Sequence, residues 1–249
     1  VGERTIGRRL LAEFLGTALL VAAVVGSGIA AARLSPGNTG LELFENTAAT
    51  VGALVALILA LGPVSGAHFN PVVTLADRVF GGISSRDAAG YVGAQVTGAL
   101  GGALLANAMF ALPTFEASTK ARSAGPLWLG EVVATFGLVV VVFGVVRSGR
   151  AAVAPFAVGA YIGGAYFFTS STSFANPAVT VGRTISNTFA GIRPSSAPMF
   201  VVMQLLGGVL AVVVVRALYP HVAGSAADVM LPHRTDRTAD GAQPQDAHA

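Results

Sequence analysis

Two Asn-Pro pairs stand 106 positions apart in this 249-residue chain. Each opens a short apolar run of one pattern: Asn70-Pro71-Val72-Val73-Thr74, then Asn176-Pro177-Ala178-Val179-Thr180. Asparagine is a favoured helix cap and proline a favoured first helical residue, so each pair predicts a helix start whose unpaired N–H groups gather behind the Asn side chain. Such a start offers hydrogen-bond donors and roughly half a unit of positive charge to a passing solute. Both helices should be short. The first meets Gly81-Gly82 after about ten residues, a length near 15 Å, half the hydrocarbon thickness of a bilayer. Two of them tip to tip would span a membrane and hydrate a solute at its centre.

The composition makes lipid the solvent around these helices. Hydrophobic residues are 53% of the chain, mean hydropathy is +0.70, and charged residues are 11%, where a soluble domain carries about 25%. A net charge of +3 and a pI near 9.8 do not indicate a nucleic-acid partner, because the 15 Lys and Arg are scattered between apolar segments and form no basic stripe. With 0 Cys and four His at no ligand spacing, no metal site, thiol nucleophile or cofactor is implied. No nucleophile–base constellation and no phosphate loop after a strand are present, so an enzyme is not expected.

Hydropathy marks six full spans, 10–32, 47–64, 88–106, 127–146, 151–168 and 199–218, with the two Asn-Pro runs left over. The first is long and has no small-residue cleavage pattern at its end, so it reads as a retained span and not a signal peptide. Six spans put both termini on one side with ten of the Arg, against Arg33, Lys120, Arg122, Arg183 and Arg193 on the other. The positive-inside rule then makes the termini cytoplasmic and the protein a multi-pass component of the cell membrane. Residues 1–9 read as a cytoplasmic start, 10–219 as the membrane domain, and 220–249, rich in Pro, Asp, Gln and His, as a disordered cytoplasmic tail.

The halves repeat each other. Ala12-Glu13-Phe14-Leu15-Gly16-Thr17 is echoed by Gly130-Glu131-Val132-Val133-Ala134-Thr135, and Gln95 with Gly101-Gly102 by Gln204 with Gly207-Gly208. Repeat one covers about 10–112 and repeat two about 127–219, each holding three spans and one half-helix. An odd number of spans inverts the second copy, so the half-helices enter from opposite faces. The fold class is therefore an all-α membrane protein, with six transmembrane helices and two re-entrant half-helices in two inverted repeats.

In these residues the chain resembles the major intrinsic protein family, the aquaporins and aquaglyceroporins. The resemblance rests on 12–17, on Ser65-Gly66-Ala67-His68-Phe69-Asn70-Pro71, on Ala94-Gln95, on Glu131, and on Phe174-Ala175-Asn176-Pro177-Ala178. It implies a passive channel, assembled as a homotetramer with one pore per subunit, in which Glu13 and Glu131 brace the re-entrant loops. His68, just ahead of the first box, reads as pore-side or loop-bracing. Val72 departs from the Ala usual in the family and adds bulk beside Asn70.

The resemblance also carries over four selectivity-filter positions by counting from the two Asn residues: Thr50, Gly164, Ser173 and Val179. The family usually has Arg at the last of these. Val in its place, with Gly164 and Ser173 adding little bulk, implies a wide and uncharged constriction, leaving cation exclusion to the two helix tips. The resemblance to Arg-less relatives implies small neutral solutes, foremost metalloid acids such as arsenite and antimonite, with glycerol and water as the alternative. The hydroxyl run 169–173 reads as pore wall. A secondary active transporter is the competing class, since broken helices in inverted repeats build such sites too. A closed structural relative is a third.

Overall fold

The computed structural model describes residues 5–220. The expected tail, apart from residue 220, lies outside them. Among the described residues every regular element is helical: α1 Ile6–Leu34, α2 Thr39–Ser65, α3 Pro71–Phe80, α4 Ser85–Met109, α5 Gly125–Arg147, α6 Ala154–Phe168, α7 Pro177–Gly182 and α8 Ala197–Leu218. Five are long and apolar enough to cross a membrane: α1, α2, α5, α6 with its preceding 3-10 turn, and α8 with its own. The sixth long helix, α4, has 25 residues and is richer in Gly, Ala and polar side chains. It can be less apolar because it packs along α1 and beside both half-helices.

Local chemistry sets the ends. Asn38 accepts from the Leu41 N–H and Ser84 from the Asp87 N–H, starting α2 and α4. Gly66 and Gly81, both left-handed, end α2 and α3, a conformation that costs glycine little. The stop at Gly81 holds α3 to ten residues.

Small residues set the distances between helices. A Cβ at Gly98 or Gly102 of α4 would collide with the Phe14 or Ala18 carbonyl of α1, and one at Gly207 of α8 with the Val132 carbonyl of α5. The tight α1–α4 pair in one repeat thus has its counterpart in α5–α8, as backbone-to-backbone packing in lipid requires. Large apolar side chains face outward, among them Leu11, Leu19, Phe44, Leu129, Phe167 and Val213. Lipid is the solvent that tolerates such a surface.

Candidate pore

Asn70 and Asn176 meet where α3 and α7 begin. Asn70 Oδ1 accepts from the Val72 N–H at 2.9 Å, and its Nδ2 donates to the Ala175 carbonyl at 2.7 Å. Asn176 Oδ1 accepts from the Ala178 and Val179 N–H groups at 3.0 and 3.2 Å, and its Nδ2 donates to the Phe69 carbonyl at 2.8 Å. Each amide caps its own helix and ties down the other's loop. One proton on each Nδ2 then remains for the cavity that both side chains line. Pro71 and Pro177 hold the first helical position, and Ala178 packs fully buried behind its Asn. Val72 fits because Gly208 of α8 makes room, since a Cβ there would collide with Val72 Cγ1.

Two buried carboxylates hold the loops. Glu13 Oε1 accepts from Ser65 Oγ at 2.6 Å and the His68 N–H at 2.9 Å, while Oε2 accepts from the Phe69 N–H and Gln95 Nε2, both at 2.8 Å. Glu131 Oε1 accepts from the Phe174 N–H at 2.9 Å, and Oε2 from the Ala175 N–H at 2.9 Å and Gln204 Nε2 at 2.6 Å. Both glutamines also reach a threonine of the half-helix, Gln95 to Thr74 and Gln204 to Thr180, each at 2.9 Å. His68 shares a hydrogen bond with Thr74 Oγ1 at 3.1 Å, and its ring lies among the cavity residues.

The anchored loops have an alternating backbone. Three and one residues before each Asn, the chain is left-handed at non-glycine residues: Ala67 and Phe69 in the first loop, Ser173 and Ala175 in the second. Each costs about 1 kcal/mol, which the glutamate anchors offset. Among the described residues no protein donor reaches the carbonyls of Ala67, His68, Ser173 or Phe174, all of which belong to cavity-lining residues. They are free acceptors for a solute's hydroxyl protons. The facing wall is aliphatic: Leu20, Val24, Leu54, Ile58, Leu138 and Val142.

The filter positions divide. Thr50, Ser173 and Val179 line the cavity, and Ser173 Oγ is buried with no partner. Gly164 does not line it. It is exposed on the outer side of α6, where a Cβ would touch the Phe168 ring at 3.7 Å. From α6 the cavity receives Val158, Ile162 and Tyr166, one stripe at four-residue spacing. Tyr166 brings bulk and a hydroxyl 3.2 Å from Thr50 Oγ1. Thr50 spends its own proton on the Asn46 carbonyl at 2.8 Å, so Tyr166 is the donor of that pair. The hydroxyl run also divides. Ser173 lines the cavity, whereas Ser170 is exposed and donates to the Pro126 carbonyl, and Thr169 bonds back to Ala165.

Val179 brings no charge to the cavity, but Arg183, one helical turn further on, lines the same cavity. Its Nε donates to the Ala190 carbonyl, and its guanidinium carbon lies 3.4 Å from the centroid of the Phe174 ring. Arg122 approaches the same ring at 4.9 Å. The segment 111–124, between the two repeats, folds back over this mouth. Ser118 N–H donates to the Thr184 carbonyl, Arg122 Nε to the Gly191 carbonyl and Lys120 Nζ to the Phe189 carbonyl. Burial, then the neighbouring charges of Arg122 and Arg183, push the Lys120 ammonium down to about 8.

Comparisons with known proteins place this geometry in a family. The sequence profile of the major intrinsic protein family matches residues 3–175 and, in a second stretch, 156–242. The chain belongs to the major intrinsic protein family. It is therefore a multi-pass membrane protein that works as a passive channel for small solutes and not as an enzyme. It is 52% identical over 216 residues to the aquaglyceroporin AqpS of Rhizobium meliloti, covering 87% of this chain and 92% of that one. It is 34% identical to the glycerol uptake facilitator protein of Pseudomonas aeruginosa, covering 74% of this chain and 75% of that one. The aquaglyceroporin structure from Plasmodium falciparum superposes with a TM-score of 0.66 at 20% identity, over 88% of this chain and 99% of that one, and shares the fold.

Proposed function

We propose that this channel conducts small uncharged polyhydroxylated solutes, and that the residues lining its path are Asn70, Asn176, Thr50, Tyr166, Ser173 and Val179. The observation that carries this reading is the division of the cavity wall. One side offers the two Asn amides, four free carbonyls and the hydroxyls, and the other is aliphatic. A solute with hydroxyls along one edge satisfies the polar stripe while its C–H edge displaces poorly hydrated space. A monovalent cation finds two positive helix ends and, among the described residues, no carboxylate lining the cavity.

Metalloid acids such as arsenite and antimonite belong to this class, and Val179 supports them by leaving open the space a guanidinium would fill. Glycerol is the second reading, supported by the aliphatic wall and by the similarity to an aquaglyceroporin and a glycerol uptake facilitator. Tyr166 narrows the difference between the two by adding bulk that the sequence did not predict. Stopped-flow light scattering on proteoliposomes, comparing water, glycerol and arsenite, tests both. Glycerol and arsenite rates well above those of empty liposomes are expected, and rates equal to empty liposomes would remove the proposal.

Orientation and assembly belong to the same reading. The mouth carrying Arg33, Lys120, Arg122, Arg183 and Arg193 is proposed to face outward, with both termini cytoplasmic, under the positive-inside rule. A homotetramer is proposed from family membership. Cross-linking in native membranes, and protease access to inside-out vesicles, read these two directly.

A further inference from the structure

We infer that Arg183 is the cation-excluding residue of this pore, holding one turn nearer the mouth the fixed charge that Val179 lacks. This rests on the channel reading above. Four observations converge on it. Arg183 lines the cavity together with Tyr166, Ser173 and Val179. Its side chain is buried, clamped at Nε by the Ala190 carbonyl and laid over the Phe174 ring, so the fork cannot swing away from the path. Among the described residues neither terminal nitrogen meets a protein acceptor, although both can be reached by solvent. No described carboxylate lies within ion-pair distance, the two recorded pairs being Arg9–Asp87 and His68–Asp77.

Arg122 provides the contrast on the same ring. Its Nε and Nη1 are spent on the Gly191 and Ser171 carbonyls, and it does not line the cavity. Arg122 ties the 111–124 segment to the second loop. Arg183 keeps both terminal nitrogens and an uncompensated charge facing the path. A guanidinium so placed repels a cation at short range in a medium less polar than water, yet still donates to the oxygen of a neutral polyol. Displacing the charge by one turn while putting Val at 179 lets a bulky neutral solute pass a wide step and a charged step separately. With Arg at 179 both demands would fall at one level.

The test measures cation leak and neutral flux on the same proteoliposomes, using the full chain as wild type, Arg183→Gln and Arg183→Lys. Potassium or proton leak, read with an entrapped dye under an imposed potential, is expected to rise about tenfold or more in Arg183→Gln and to stay low in Arg183→Lys. Glycerol flux is measured on the same vesicles to show that each variant is reconstituted and open, and leak is compared per unit of that flux. A glycerol-conducting Arg183→Gln channel as tight to cations as wild type overturns the assignment, and so does equal leak in the two variants. If Arg183→Gln does not reconstitute, Ser173→Asp places a carboxylate in the same lining. Its leak must then rise, and a tight Ser173→Asp channel overturns the proposal. A wild type with no neutral flux overturns the channel reading and this inference with it, whereas conducting but tight variants remove the inference alone.

Discussion

Seven residues after each pore asparagine the two repeats carry opposite charges, Asp77 beyond Asn70 and Arg183 beyond Asn176. Both are buried, at 3% exposure each. Asp77 turns away from the path, with Oδ2 3.6 Å from His68 Nε2, whereas Arg183 lines it. Around them the half-sites share the amide cross-links, the glutamate anchors on two loop N–H groups, the glutamine-to-threonine braces and the left-handed residues three and one before each Asn, with the Ser65–Glu13 bond added in the first. The bonds that fix geometry are duplicated. The side chains one turn further out have diverged. An inverted repeat can keep its scaffold symmetric and still give its two mouths different electrostatics, because the scaffold depends on backbone and carboxylate bonds that do not involve positions 77 and 183.

The largest expected effect breaks the shared part. Glu13→Ala leaves the His68 and Phe69 N–H groups without acceptors, and Glu131→Ala does the same to those of Phe174 and Ala175. Two orphaned buried donors cost about 2–5 kcal/mol. Thermal unfolding in detergent should therefore fall sharply for both variants, with solute flux lost. Glu13→Ala should fall further, because Ser65 loses its partner as well. Unchanged melting temperatures in both would mean that the loops are held by something other than these carboxylates.

A second pair of variants sharpens the difference. Val73 and Val179 occupy equivalent places, three residues after each Asn, and both line the cavity. Arg at either overfills the path, so Val73→Arg and Val179→Arg should cut glycerol and arsenite flux about tenfold, and water flux less. Their stabilities should differ in sign of context. An Arg at 73 lies one turn from Asp77, an opposite charge, while an Arg at 179 lies one turn from Arg183, a like charge. Val179→Arg is expected to be the less stable by about 1 kcal/mol, measured by denaturation in the same detergent. Equal stabilities would show that the charges at 77 and 183 do not reach the pore-facing turn, and equal loss of all solutes would refute the filter assignment at 179.

How far the sequence carries depends on whether a position is fixed by local chemistry. Asn70 and Asn176 were legible because an Asn-Pro start and a Gly81 stop are decided within a few residues. Glu13 and Glu131 were legible as a repeated pair inside spans, where an ionisable group needs partners. Gly164 failed because counting back from Asn176 crosses a stretch of irregular backbone, including left-handed Thr172, Ser173 and Ala175, through which helical register does not carry. The four-residue spacing of Val158, Ile162 and Tyr166 was the available signal, one that counting from the motif ignored. Arg183 was read by sidedness alone, although its spacing of four from Val179 placed it on the same helical face. The folding back of 111–124 had no local signal, since its bonds reach residues some seventy positions away.

A conservative change isolates the donor that the sequence missed. Tyr166→Phe keeps the ring and removes the hydroxyl that donates to Thr50 Oγ1 at 3.2 Å. The loss of one neutral hydrogen bond is worth about 0.5–1.5 kcal/mol, so flux of glycerol should change by roughly two- to tenfold while cation leak stays at the wild-type level. A flux unchanged by Tyr166→Phe would place the narrow step elsewhere along the path.

The smallest effect concerns the charged mouth alone. Lys120 lies over the Phe189 ring with its ammonium 2.8 Å from the Phe189 carbonyl. Partial desolvation of the ammonium against Phe189, then the positive charges of Arg122 and Arg183, push it down to about 8, with Glu42 acting in the opposite direction. A base whose ionisation is lowered to that range gives up its proton between pH 7 and 9, while the guanidiniums beside it stay charged. Raising the pH on that side should therefore remove one positive charge from this mouth and leave Arg183 in place. Because Lys120 is exposed, solvent screens its charge, and cation leak should rise by less than about twofold, an increment that fades in high salt. Lys120→Met should abolish the pH response and leave neutral flux unaltered. A pH response surviving in Lys120→Met would mean that another group at this mouth titrates, and the electrostatic contrast between positions 77 and 183 would then need that group added to it.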